Sequence, residues 1–209
     1  MKKCVIFAAR PVEPELRPWC EGASLVIAAD AGWRWARALG VEPDILLGDY
    51  DSDRPPADVP AGRIDRLPAE KDDTDTHYAA RRALEEGCGQ VVILGGLGGR
   101  LDHTLANMNT LLYLAGHGAE AVLAGPDTEV RVLLPGSHQL PAREGWYCSL
   151  FPAQGPVEGL WLENLKYPLQ NARLAPDWPL GVSNEFLQGP AHIRFSQGAL
   201  YCVLCRKDL

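Results

Sequence analysis

The chain has 209 residues, enough to bury a full core as one domain or as two modest ones. Its 27 acidic residues outnumber 20 basic ones, a net charge of -7 that disfavours nonspecific attraction to nucleic acid or to an anionic membrane and suits a cationic partner. No apolar run reaches the length of a membrane span, so no membrane association is expected.

The first element is the apolar run over residues 4–9, which stops at Arg10 with no small-residue cleavage pattern and reads as a strand rather than a leader. Further strand-like runs follow at 25–29, 45–47, 91–94 and 121–124. Between them, residues 74–86 open on Asp and Thr capping candidates and close on Gly87, and Leu105, Met108, Leu112 and Ala115 recur at helical steps up to Gly116. Strands alternating with helices predict an α/β domain over residues 1–132, a Rossmann-like, doubly wound, mostly parallel sheet. Beyond Pro135 the texture changes to short β-prone runs at 146–151, 157–162, 191–195 and 199–204, split by proline, glycine and asparagine. That pattern predicts a smaller antiparallel β-sandwich domain over residues 133–209.

The six cysteines are scattered, unlike a disulfide framework, and point to a reducing cytoplasm. Cys202 and Cys205 form a lone CxxC, but positions i and i+3 of a strand face opposite sides, so they read as ordinary strand residues.

In this scheme Asp30 follows the second strand, Asp49 and Asp51 of Gly48-Asp49-Tyr50-Asp51-Ser52 follow the third, and the glycine-rich loop follows the fourth. Loops after parallel strands meet at one sheet edge, where open α/β sheets bind ligands. Carboxylates gathered there repel unless a cation neutralises them, and hard oxygen ligands favour Mg²⁺, with metal-bound phosphate as the guest. Asp30 and Asp49 also have a plainer reading as turn or helix caps; Asp51, with Asp75 of Lys71-Asp72-Asp73-Thr74-Asp75, carries the functional one.

Gly95-Gly96-Leu97-Gly98-Gly99 lets backbone N–H groups approach a phosphate before a helix starts, and Arg100 adds a forked cation. Neither GK[ST] nor GxGxxG is present, which excludes a P-loop or a standard dinucleotide fingerprint. Alone the loop is also a tight turn; Arg100 and Asp102 tip it towards phosphate, and His103 reads as a polar or packing residue. Ser183 and Asn184 set a hydroxyl and an amide beside Phe186, either a site for a flat heterocycle or a turn. Trp146, Trp161 and Trp178 read as core, whereas Trp33 and Trp35 either flank a base or pack their helix.

Taken in order, Asp30-Ala31-Gly32, Pro43-Asp44, Gly48 to Ser52, Lys71 to Asp75, Gly95 to His103 with Asn107, and Gly181-Val182-Ser183-Asn184-Glu185-Phe186 resemble the bacterial-type thiamine pyrophosphokinases across nearly the whole chain. Tyr50, where that family commonly has Phe, and Ala31, where Gly is frequent, depart from the pattern. The resemblance implies transfer of the pyrophosphoryl group of ATP to the hydroxyl of thiamine, giving thiamine diphosphate and AMP. It implies that Asp49, Asp51 and Asp75 hold Mg²⁺ and the triphosphate and act with Arg100, that Asp30, Gly98, Arg100, Asp102 and Asn107 bind the nucleotide, and that Ser183 and Asn184 bind thiamine. It also implies a homodimer with thiamine at the subunit interface. Two rivals stand beside it: a pyrophosphokinase for another heterocyclic alcohol such as a hydroxymethylpterin, and a noncatalytic nucleotide or thiamine sensor.

Overall fold

Cys4-Val5-Ile6-Phe7 has every side chain fully buried, so both faces of this strand must be covered, as in the centre of a parallel sheet. The computed structural model, which describes residues 1–50, 56–68 and 72–208, places it so. β1 (Lys2–Phe7), β2 (Leu25–Ala29), β3 (Ile45–Gly48), β4 (Ile64–Arg66), β5 (Cys88–Leu94) and β6 (Glu120–Ala124) lie in the order β6-β5-β1-β2-β3-β4, with every pairing parallel. The chain runs outward from β1 to β4, then crosses to the other side of β1 for β5 and β6. The crevice between β1 and β5 is therefore the switch point of the sheet.

Among the described residues, three α-helices cover these strands. α1 (Gly32–Ala38) and a 3₁₀ segment, Pro14–Cys20, pack on the face that carries Val5 and Phe7. α2 (Asp75–Glu85) starts where the Thr74 hydroxyl accepts the His77 N–H at 3.2 Å, and ends at Gly87, whose φ of 75° suits the left-handed cap. α3 (Leu101–Gly116) does include Gly116 as its last residue, but the left-handed position falls to Gly118, with φ 80°. No helix among the described residues is long and apolar enough to cross a membrane.

This first unit spans Met1–Pro126 and the second Asp127–Leu209. The break precedes the expected 132/133 because β7 (Thr128–Leu133) pairs with the second unit's last strand along its whole length, and Pro135-Gly136 turns out to join β7 to the next strand. β8 (Gly136–Leu140), β9 (Trp146–Pro152), β10 (Val157–Glu163), β11 (Leu169–Leu174), β12 (Asn184–Glu185), β13 (Ala191–Phe195) and β14 (Leu200–Arg206) complete the unit. Its strands form two antiparallel sets, β12-β9-β14-β7 and β11-β10-β13-β8. In β13, Ala191, Ile193 and Phe195 are buried while His192 and Arg194 are exposed, the alternation of a sheet with one wet face. The buried sides of both sheets meet in one core, with Leu150, Cys202 and Leu204 from one and Leu160, Ile193 and Phe195 from the other, so the unit is a β-sandwich. Cys202 lies in that core, and Cys205, on the opposite face of β14, accepts a weak hydrogen bond from the Thr128 hydroxyl at 3.7 Å.

An acid-sensitive clasp closes the outer edge of this sandwich. Glu185 accepts hydrogen bonds from Lys166 Nζ at 2.6 Å and Lys207 Nζ at 2.5 Å, and these donors, Lys166 first, hold its carboxyl down to about 2 against an ordinary 4.5. A depressed carboxylate stabilises the fold fully above its unfolded value and loses that contribution as pH falls from about 4.5 to about 2. Glu185→Gln should therefore flatten the fall of Tm across that window in thermal melts, by a modest amount because the pair is partly exposed. An unchanged acid limb would refute the linkage.

Candidate active site

β2 delivers Asp30 at φ 51°, its N–H donating to Leu47 O at 2.9 Å. β3 ends at Gly48, where an added Cβ would stand 2.8 Å from Asp30 Oδ1, so the glycine makes room for that carboxylate. Two residues on, Tyr50 also takes a left-handed conformation, φ 56°. Aspartate tolerates this region; for a tyrosine it costs about 1–2 kcal/mol, strain of a kind that collects at functional sites. The Tyr50 ring is buried with Ala28 and Leu46 against Trp33, and its hydroxyl has no hydrogen-bond partner among the described residues. Burial pushes the phenol well above its ordinary range, and the charge of Asp30 pushes it further, so the hydroxyl stays a protonated donor beside carboxylates. Asp49 is half-buried just before it. Asp51 lies outside the described residues.

On the other side of β1, the loop after β5 is built from residues that only glycine fits. Gly95 has φ 68°, and a Cβ there would meet Arg10 O at 2.5 Å. Gly96 is buried, and its carbonyl accepts a hydrogen bond from Asn107 Nδ2 of α3 at 2.8 Å. Arg100, at the entrance to α3, grips Asp102 through two bonds, Nε to Oδ1 at 3.1 Å and Nη2 to Oδ2 at 2.6 Å. That bond to Arg100 is the main cause holding the Asp102 carboxyl below the ordinary aspartate range.

A cleft of about 320 Å³ opens at the switch point. Asp30, Asp75, Gly98, Arg100 and Asn107 all line it, so the structure gathers these five expected site residues at one place. Asp102 is not in its wall and meets it through Arg100. The wall also contains Thr74, Thr76, His103 and Arg10, none of which stood out as site residues in the sequence; His103 is not a packing residue but an exposed one on the cleft. Trp33 and Trp35 stay outside it. Trp33 packs against Tyr50, and Trp35 Nε1 donates to Ala9 O at 3.0 Å.

Among the described residues no three acidic, histidine or cysteine side chains stand together as a ready-made metal cage. The donor chemistry nonetheless fits Mg²⁺, which binds through one or two carboxylates plus substrate phosphates rather than an all-protein shell. Asp75, on the wall of a cleft that also carries the glycine loop and the Arg100 guanidinium, is such a carboxylate, and Asp30 on the same wall is placed for the nucleotide.

In the second unit Ser183 is exposed at φ 57°, with its N–H donating to Ser149 Oγ at 2.9 Å. Asn184 is only 5% exposed and is spent on its own surroundings: Oδ1 accepts from the N–H groups of Tyr167 at 2.9 Å and Glu185 at 3.0 Å, and Nδ2 donates to Tyr167 O at 2.8 Å. Trp178, expected in the core, is instead 67% exposed, as are Tyr167, Leu180, Val182 and Leu187 in large part.

Residues 16–123 match the family model for the thiamin pyrophosphokinase catalytic domain, and residues 137–200 match that for the thiamin pyrophosphokinase vitamin B1 binding domain. The chain is 29% identical over 210 residues to a thiamine pyrophosphokinase of Bacillus subtilis (strain 168), covering 97% of this chain and 98% of the relative. Among solved structures it is similar to thiamine pyrophosphokinase from Bacillus subtilis, with TM-score 0.90, 28% identity and all of both chains covered. It is likewise similar to thiamin pyrophosphokinase from Geobacillus thermodenitrificans, with TM-score 0.82, 28% identity and coverage of 100% of this chain and 98% of that one.

Proposed function

The chain belongs to the thiamin pyrophosphokinase family, and from that premise we propose the roles of its residues in moving the pyrophosphoryl group of ATP to the hydroxyl of thiamine, with thiamine diphosphate and AMP as products. The observation that carries this assignment of roles is the cleft at the switch point, where Asp30 and Asp75 face a glycine loop and Arg100. The thiamine oxygen attacks the β-phosphorus, the bond from that phosphorus to the α,β-bridging oxygen breaks, and AMP leaves with the electron pair. The hydroxyl proton passes to a carboxylate, for which Asp51 and Asp75 are the candidates.

By the resemblance Asp49, Asp51 and Asp75 would hold Mg²⁺ and the triphosphate, with Asp75, among the described residues, the one of them on the cleft wall; Mg²⁺, when bound, would neutralise phosphate charge. Asp102 aims Arg100 at the phosphates, Asn107 pins Gly96 so that the loop amides, Gly98 among them, line the anion, and Asp30 serves the nucleotide. Ser183 holds thiamine, and Asn184 contributes by fixing the backbone of Tyr167 and Glu185 around it. The exposed apolar side chains of Tyr167, Trp178, Leu180, Val182 and Leu187 support a homodimer that covers this surface, with thiamine at its interface. Free, mostly buried cysteines support a cytoplasmic location.

Ser183→Ala should raise the thiamine KM about 5–10-fold, the loss of one hydrogen bond, and leave the ATP KM alone. A change confined to ATP would remove Ser183 from the thiamine site. The reaction itself is tested by incubating the protein with Mg²⁺, ATP and thiamine, with a hydroxymethylpterin as parallel acceptor, and resolving AMP, ADP and thiamine phosphates. Thiamine-dependent AMP with matching thiamine diphosphate is the expected result. AMP formed only with the pterin, ADP as product, or no turnover with either acceptor would overturn it.

A further inference from the structure

Arg10 leaves the end of β1 directly at the switch point and is joined there to the glycine loop. Its N–H donates to Gly95 O at 3.2 Å, and its carbonyl lies where a Cβ on Gly95 would come within 2.5 Å. The side chain continues over the loop: a Cβ added to Gly99 would collide with Arg10 Nη1, and one on Gly98 would stand 4.0 Å from Nε. Gly98 and Gly99 both have positive φ, 77° and 67°, so the loop is shaped to leave its surface bare, and the guanidinium occupies the bared seat.

The electrostatics of this seat are one-sided. Arg100 is neutralised by its forked pair with Asp102, whereas no carboxylate pairs with Arg10 among the described residues. Arginine stays charged at any working pH, and its fork matches phosphate oxygens in a way a point charge does not. A permanent cation on the wall of a cleft, held beside Gly98 and Gly99 and without a carboxylate partner among the described residues, is suited to an anionic ligand that brings several oxygens.

We propose that Arg10 is a second guanidinium for the triphosphate of ATP, acting with Arg100 from the wall of the same cleft; this rests on the cleft being the ATP site. Among the described residues its charge has no ion pair to break before it meets the phosphates, whereas that of Arg100 is shared with Asp102.

The test compares wild type, Arg10→Ala and Arg10→Lys in steady-state kinetics and in calorimetric titration with inorganic tripolyphosphate. Arg10 is exposed, so both variants should keep the wild-type Tm and circular dichroism. Arg10→Ala is expected to lose about 100-fold in kcat/KM for ATP, with the thiamine KM within about twofold, and Arg10→Lys to recover part of the loss. Tripolyphosphate binding should weaken at least about tenfold in Arg10→Ala. Wild-type kcat/KM for ATP in Arg10→Ala, or unchanged tripolyphosphate affinity, would overturn the role of Arg10. A wild-type protein that makes no thiamine-dependent AMP would instead overturn the reading of the cleft, and the titration would still decide whether Arg10 binds a polyphosphate.

Discussion

Asp75→Asn is expected to slow turnover by about 10³-fold or more while leaving the protein folded. Asp75 is the first residue of α2 and lines the cleft, so its carboxylate is held at the ligand by a helix whose start is secured separately through Thr74 and the His77 N–H. Asparagine keeps the volume and one oxygen but not the charge. Its structural cost is the lost attraction to the helix N-terminus, about 0.3–1 kcal/mol, or a Tm decrease of roughly 1–4 °C. The catalytic cost is far larger, because a loss of 10³-fold corresponds to about 4 kcal/mol of transition-state stabilisation. Asp51→Asn should behave alike. AMP formation measured beside a calorimetric melt separates the two costs; near-wild-type kcat in Asp75→Asn would remove it from the metal and triphosphate site.

Gly32→Ala should do the reverse, with a large loss of stability from a single methyl group. Gly32 begins α1, and a Cβ there would overlap the carbonyl of Phe7 and lie 3.1 Å from Ala8 O, both in the backbone of or just beyond the central strand β1. Neither atom is the tip of a flexible side chain, so either the helix lifts or the strand yields, at about 3 kcal/mol and a Tm decrease of roughly 6–12 °C. Asp30 lies just before this contact and would move with it, raising the ATP KM. Gly116→Ala is the matched control, since nothing lies within 4 Å of its added Cβ and the residue is helical. A Gly32→Ala protein as stable as the control would refute the close approach of α1 to β1.

Strands of the first unit were legible because burial on both faces leaves an uninterrupted apolar run such as Val91 to Leu94. β8 was not legible: Ser137, His138 and Gln139 show no apolar alternation, and the segment is a strand only because β13 pairs with it. β4, three residues long, is likewise made by its neighbour β3. The site divides the same way. The meeting of Asp30 and Gly98 at one cleft was legible since loops after parallel strands share an edge whatever their sequence distance, whereas Asp75 stood out through its acidic motif at a helix start and not through a strand before it. Arg10 looks locally like any surface arginine, and its place depends on β5 lying beside β1, a fact of topology rather than of its own sequence. The exposure of Trp178 was hidden by a general preference of tryptophan for cores, and the inward turn of Asn184 by its dependence on Tyr167, a distant neighbour in sequence.

The placing of β1 between β2 and β5 also sets a timetable for synthesis. Cys4 to Phe7 are wholly buried in the finished protein, yet one of their two flanking strands does not exist until the ribosome has made Leu94. At about 5–20 residues per second, the span from Ala29, which completes β2, to Leu94 leaves an apolar strand with one raw edge for roughly 3–13 s on every nascent chain. During that interval the half-built sheet offers an open ladder to any other extended segment, so the step most exposed to chaperones and to misassembly comes before either substrate site is complete.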